Sequence, residues 1–244
     1  MPDALEQSHT PEAIKSRLAR GPRSNYLRDW IYGGMDGAVT TFAIVAGVVG
    51  ADLSAAVLLL LGFANLLADG FAMAAGNYSA TKAERDDFER VLGVERKHIA
   101  MVPDGEREEI RQIFAAKGFS GENLERIVAV ITADRTLWAK TMAVEEYGLS
   151  PTLRSPVSAA LNTFAAFIVC GLVPLVTYLA AGGLTSCIAA TGATFFGVGA
   201  IKSRWSLVTW WRSGFESLLI GMSAAALAFV VSLWLKTLLN LPTA

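Results

Sequence analysis

The chain has 244 residues, 53% of them hydrophobic, and carries 21 Lys and Arg against 22 Asp and Glu. With a mean hydropathy of +0.42, the composition is that of a membrane protein rather than of the one or two soluble domains that this length otherwise suggests. A net charge of −1 argues against a generalised attraction to nucleic acid or acidic surfaces, so the placement of charge matters more than its sum.

Residues 1–29 are polar, with Lys15, Arg17, Arg20, Arg23 and Arg28, and lack the apolar stretch of a cleaved signal peptide. They are expected to stay in the mature protein as an N-terminal segment. A bilayer core takes about 20 mostly apolar helical residues, and the first such run spans 30–50. Six residues into it stands Asp36, where an ionised carboxylate is costly unless it faces protein, water or a cation. Thr40 follows one turn later on the same face. Gly33 and Gly37 at i, i+4 suit close helix packing, which does not account for the aspartate.

A short turn near Gly50 to Leu53 predicts an antiparallel hairpin with the second run, 54–78. This run carries Asn65, Asp69, Met73 and Asn77 at four-residue steps, one slowly drifting stripe of oxygen and sulfur groups along a helix. As a unit the stripe reads as a path for an ion. Taken singly, Asn65 and Asn77 read equally well as hydrogen bonds between helices, and Met73 as core filling. Carboxylate with thioether favours Fe(II)-like or Mn(II)-like ions over Ca²⁺ or Mg²⁺. A buried carboxyl could also exchange a proton for such an ion.

Residues 80–155 hold 14 acidic and 12 basic side chains and form a water-soluble insert. Helices are expected near 80–101, 105–117 and 122–147, separated by Val102-Pro103-Asp104-Gly105 and Lys117-Gly118. Glu95 with His98, Glu106 with Glu109, and Met142 with Glu146 are pairs at three- or four-residue spacing, each on one helix face. If the helices pack together, the pairs could converge on a borderline transition metal. The alternative is a solvated charged face. Glu-x-x-His also occurs in di-iron carboxylate oxidases and ferritin-like bundles, but the only other histidine is His9, so the symmetric pair of motifs cannot be built.

Three more apolar runs follow at 157–180, 184–201 and 215–236, the first two joined by Ala181-Gly182-Gly183. Cys170 and Cys187 lie inside them as small hydrophobes without a disulfide role. Trp205, Trp210 and Trp211 beside Arg204 and Arg212 read as an interfacial anchor. Five Lys and Arg precede the first run, 12 lie in the insert, Lys202, Arg204 and Arg212 lie before the fifth run, and only Lys236 lies at its far end. The positive-inside rule then places the N-terminus and insert in the cytoplasm and the C-terminus outside.

With these residues in place, the chain resembles the vacuolar iron transporter family, which also contains bacterial and plant nodulin-like proteins, from about Arg28 onward. The resemblance is carried by Ile31-Tyr32-Gly33-Gly34-Met35-Asp36-Gly37 with Thr40-Thr41-Phe42-Ala43, and by Met73-Ala74-Ala75-Gly76-Asn77-Tyr78 leading into Lys82-Ala83-Glu84. Val102-Pro103-Asp104 and Gly171-Leu172-Val173-Pro174-Leu175 add to it. It implies an all-α membrane protein, a homodimer with five transmembrane helices per subunit and a cytoplasmic three-helix metal-binding domain between helices two and three. The segments are then 1–29, 30–79 (helices one and two), 80–155 (metal-binding domain) and 156–244 (helices three to five).

The implied activity is export of Fe(II), or of Mn(II) or other divalent ions such as Co(II) or Zn(II), from the cytosol in exchange for protons. The metal is cargo, without a prosthetic group, along a route between the subunits. The family's membrane aspartate falls on Asp36 and its path methionine on Met73; its cytoplasmic ligands fall on Glu95, His98, Glu106, Glu109, Met142 and Glu146. Two departures stand out: His98 replaces a glutamate, and Asn65 replaces a membrane glutamate, with Asp69 one turn later. Glu216 reads as an interfacial charge. A transporter rather than an enzyme is expected, in a membrane that the sequence leaves unnamed and that the bacterial inner membrane suits. The competing readings are a membrane-anchored metal sensor and an iron-handling protein of the ferritin-like or oxidase type.

Overall fold

The structure, a computed structural model, describes residues 8–21, 24–51, 53–181 and 183–238. Regular structure among them is helical: α1 Pro11–Arg20, α2 Leu27–Gly50, α3 Ala55–Met101, α4 Pro103–Ala116, α5 Gly121–Ala133, α6 Arg135–Glu145, α7 Pro156–Ala181, α8 Leu184–Lys202 and α9 Trp210–Leu238, with a 3₁₀ turn at Ser203–Trp205. Five of them, α2, α3, α7, α8 and α9, are long and apolar enough to cross a membrane. The expected Ala181-Gly182-Gly183 connection and the turn at Gly50 to Leu53 each include a residue outside the described set, as does the count of basic residues through Arg23.

Two boundaries differ from the sequence reading. No break separates the second apolar run from the insert, because α3 continues unbroken from Ala55 to Met101. Residues 76–84 contain no proline, and a change from apolar to charged side chains alters the solvent of a helix without interrupting its hydrogen-bond ladder. The expected helix 122–147 is two helices, split at Asp134. Asp134 is extended (φ −114°, ψ 111°), and its carboxylate accepts from the Thr136 and Leu137 N–H groups at 2.7 and 3.3 Å. That cap supplies partners to two N–H groups that a new helix start leaves open.

The chain divides into two compact units, Tyr26–Lys82 with Ser155–Ala244, and Met1–Asn25 with Ala83–Arg154. In the first, α2 packs against α7, α8 and α9. The α2–α7 seam is possible only because of glycine. A Cβ on Gly33 would lie 2.3 Å from the Thr163 carbonyl oxygen, and one on Gly37 would lie 2.3 Å from that of Phe167. The packing reading of these glycines therefore holds. Phe42, Val45, Leu58, Leu66, Phe167 and Leu175 form the adjoining core, and the Trp30 indole N–H donates to Asn162 Oδ1 at 3.0 Å. Cys170 and Cys187 are buried free thiols. At the end of α9, the Lys236 ammonium donates to the Gly50 carbonyl, satisfying an acceptor that the end of α2 leaves open.

In the second unit, Phe88, Val91, Leu92 and Ile99 of α3 meet Ile110 of α4, Val128 and Ile131 of α5, and Trp138, Met142 and Ala143 of α6. These apolar positions recur at helical spacing, so each helix turns one stripe inward and leaves most of its charges outward, Glu95 and Glu106 being the buried exceptions. The short helix α1 is capped by Thr10, whose hydroxyl oxygen accepts from the Ala13 N–H at 3.3 Å, and it ends at Gly21 with φ +66°.

Candidate metal sites

Glu95 and His98 stand one turn apart near the end of α3. The chain then reverses at Val102, and α4 starts on Pro103, whose fixed φ and missing N–H suit a first helical position. This reversal returns Glu106 over the end of α3. His98 Nδ1 lies 3.3 Å from Glu106 Oε1 and 3.9 Å from Glu95 Oε1, and ligand atoms of all three residues fall within 4.8 Å of one another. Two ligands about 2.1 Å from one ion sit roughly 3.0–3.4 Å apart at right-angle to tetrahedral geometry. The spacing is therefore that of a slightly expanded cation site.

Burial makes the cluster demanding. Glu95 is 1% and Glu106 3% exposed, and with both carboxyls ionised Oε2 of each is buried without a hydrogen-bond partner. Buried carboxylate oxygens in that state are costly unless a proton or cation joins them. Half-exposed His98 leaves the cluster open to solvent. Burial first, then the charges of Glu95 and Glu109, push the Glu106 carboxyl up to about 8, with a hydrogen bond to Glu95 and the charge of Glu146 adding to the rise. Glu146 is raised by burial and by the charges of Glu109 and Glu95, against the opposing effect of His98. Glu109 and Glu146 thus belong to the same electrostatic cluster. Met142 is fully buried in the apolar core.

Tyr147 is a participant that helical spacing did not reveal. It lies just beyond α6, and its hydroxyl donates to Glu95 Oε1 at 3.1 Å. Burial, that hydrogen bond and the surrounding carboxylates push the phenol up to about 12, so it remains a donor at neutral pH.

Glu106 has a consequence for stability. The folded chain keeps its proton up to about pH 8, whereas the unfolded chain releases it near 4.5. Between those values the folded state binds more protons, so this contribution is fully present below about 4.5 and is lost as pH rises through 8. In the metal-free protein, the apparent melting temperature of the unit that holds Glu106 falls from pH 5 to 8, and Glu106→Gln flattens the slope. Melting curves across that range check this; an unchanged slope in Glu106→Gln contradicts it.

The membrane residues separate more than their spacing implied. Asp36 is exposed on α2, turned away from the glycine seam, and lies close enough to Asp69, itself exposed on α3, for the two charges to interact. The Thr40 hydroxyl donates to the Asp36 backbone carbonyl at 3.0 Å and is engaged by its own helix. Asn65 Nδ2 is buried without a partner. Met73 packs against the core and lines a cleft of about 450 Å³ with Arg28, Asp29, Tyr32, Gly76, Asn77 and Ala80.

The Asn77 amide donates to Asp29 Oδ1 at 2.7 Å and to Thr163 Oγ1 at 2.6 Å, tying α2, α3 and α7 together. The bonding reading of Asn77 therefore describes it. Asp29, 1% exposed, was passed over as the end of the polar leader. Its position two helical turns before Asp36 was the available signal. Glu216 pairs with Lys202 at 3.6 Å, and Arg212 lies over the Trp211 ring at 5.8 Å.

Residues 27–233 match the VIT family. The chain is similar to a vacuolar iron transporter of Toxoplasma gondii, 38% identical over 162 residues, which are 64% of this chain and 53% of that one. Vacuolar iron transporter 2 of Oryza sativa subsp. japonica is 32% identical over 208 residues, 83% of this chain and 85% of its own length. Vacuolar iron transporter 1 of Arabidopsis thaliana is 29% identical over 211 residues, 84% of each. With a match that runs from the first turn of α2 into α9 and takes in every apolar helix and both groups of carboxylates, the chain belongs to the VIT family.

Proposed function

We propose that the protein moves Fe(II), or a similar divalent transition metal, out of the cytosol across a membrane in exchange for protons. The observation that carries this reading is the convergence of His98 with the two buried carboxylates of Glu95 and Glu106 in a chain whose relatives are named vacuolar iron transporters. One imidazole among carboxylates suits a borderline divalent ion better than Ca²⁺ or Mg²⁺. Glu109 and Glu146 add negative charge that draws the cation in, and Met142 completes the family's ligand set from the core side. Because Glu106 holds a proton near neutrality, metal capture there displaces one.

In this reading α2, α3, α7, α8 and α9 are five membrane spans. Residues 80–155 form a cytoplasmic metal-binding domain between the second and third, 1–29 a cytoplasmic leader, and 30–79 with 156–244 the membrane part. The charge distribution puts the C-terminus outside, and the bacterial inner membrane is the expected location. Two copies form the transporter. Asp36, Asp69 and Met73 line the route; Asn65 offers a polar contact beside it, Thr40 lies one turn beyond Asp36 with its hydroxyl engaged by its own helix, and Asn77 ties together the helices that form it. The expected function is transport without catalysis, with Mn(II), Co(II) and Zn(II) as candidate alternative cargo.

Reconstituted into liposomes under anaerobic conditions, the protein gives Fe(II) flux that accelerates when a proton gradient opposes the metal's direction of travel. Flux indifferent to the gradient removes proton coupling. Metal binding without any flux favours a membrane-anchored sensor, and oxygen consumption with Fe(II) favours an oxidase.

A further inference from the structure

Tyr147 occupies a fixed place beside the cluster. The chain leaves α6 through Glu146, whose N–H donates to the Met142 carbonyl at 2.9 Å. It turns at Gly148 with φ +66°, and the Leu149 N–H donates back to the Ala143 carbonyl at 3.1 Å while Leu149 packs on the core. These contacts hold Tyr147 from both sides. Its hydroxyl reaches Glu95 from the far end of the unit, 52 residues away in sequence.

Both buried carboxylates of the cluster turn Oε1 toward His98 Nδ1, and Glu95 Oε1 also accepts from the Tyr147 hydroxyl. An outer-shell hydrogen bond to a ligating carboxylate fixes the orientation in which it meets a metal. We propose that Tyr147 is a positioning residue of the metal site, holding the Glu95 carboxylate in one orientation toward the ion. The hydroxyl donates to Glu95 and does not touch the metal. The role rests on the metal-binding reading of the Glu95–His98–Glu106 cluster. It explains what a hydroxyl does against a buried carboxylate, where a phenylalanine would fill the same space.

The test uses the full-length protein in detergent, with Co(II) as the probe, and compares wild type, Tyr147→Phe and Glu106→Gln. The Co(II) signal that disappears in Glu106→Gln belongs to this cluster. Tyr147→Phe is expected to melt at the wild-type temperature and to bind that Co(II) roughly 10-fold more weakly, the lower end of the effect of losing an outer-shell partner. Its visible absorption per bound ion is also expected to fall, because the released Glu95 carboxylate is free to turn and bind through both oxygens, which raises the ion's coordination number. A structural role for the ring alone leaves both readouts unmoved, and wild-type affinity with a wild-type spectrum overturns the proposal. If Glu106→Gln binds Co(II) as wild type does, the metal-binding reading itself falls and the proposal with it. With Fe(III) as a second probe, a phenolate charge-transfer band present in wild type and lost in Tyr147→Phe makes Tyr147 a ligand and overturns the positioning role.

Discussion

Asp36→Asn reduces metal flux in proteoliposomes by at least about 100-fold while leaving the protein folded. Removing a partner that merely orients a metal ligand costs about 10–100-fold in metal affinity or activity, and removing the charge of the ligand itself costs no less. The fold is expected to survive because Asp36 is exposed and turned away from the seam where Gly33 and Gly37 meet α7. Asparagine also keeps the size of the side chain and takes away only its charge. Asp69, whose charge already reaches Asp36, is then left alone to offset the desolvation of a passing cation. Thr40→Val provides the contrast. Its hydroxyl is engaged by the Asp36 carbonyl, so this variant should retain most of the flux. Initial rates of Fe(II) entry, normalised to reconstituted protein, decide the matter. A wild-type rate in Asp36→Asn removes that residue from the route.

Gly37→Val unfolds the membrane unit or prevents its assembly. A Cβ at this position would stand 2.3 Å from the Phe167 carbonyl oxygen and 2.9 Å from both the carbonyl carbon and the Cα of Phe167. The obstacle is backbone within α7, so no side-chain rotation relieves it, and the two helices must part by about an ångström. Parting them loosens Phe42, Val45 and Phe167, all of which are nearly or fully buried in the same core. Overpacking of this kind costs about 1–3 kcal/mol for modest insertions, and a branched side chain against immovable backbone belongs at or beyond the upper end. Gly93→Ala is the control, because a Cβ there meets nothing within 4 Å, and alanine in a helix is about 1 kcal/mol better than glycine. Thermal unfolding in detergent should therefore place Gly37→Val well below wild type and Gly93→Ala at or slightly above it. A wild-type melting temperature for Gly37→Val would mean that the seam is not as tight as its atoms indicate.

The apolar runs were legible because a span of about 20 residues without charge is a demand of the bilayer on any sequence. The helical ends were less so. Near residue 80 the composition changes abruptly, yet α3 passes through unbroken, since hydrogen bonding within a helix depends on backbone geometry rather than on the polarity of its surroundings. At Asp134 the reverse holds: the composition barely changes, and a single capping carboxylate divides the helix. Pairs such as Glu95 with His98 could be read from three-residue spacing. Their meeting with Glu106 depends on the reversal at Val102 and Pro103, whose direction no local pattern specifies.

The sequence by itself determined the membrane class, the charged stretch between the second and third apolar runs, the suspicious position of Asp36 and the small residues at Gly33 and Gly37. Each follows from composition or from the 3.6-residue period of one helix. Only the tertiary structure decided which of these polar groups are engaged and by what. It buried Asp29 against Asn77, set Gly33 and Gly37 against the α7 backbone, and brought Tyr147 to Glu95. The physical reason is range: periodicity reports the face of a helix on which a side chain lies, whereas burial, hydrogen bonding and charge coupling are set by residues far away in the chain, as Asp29 and Asn77, 48 positions apart, show.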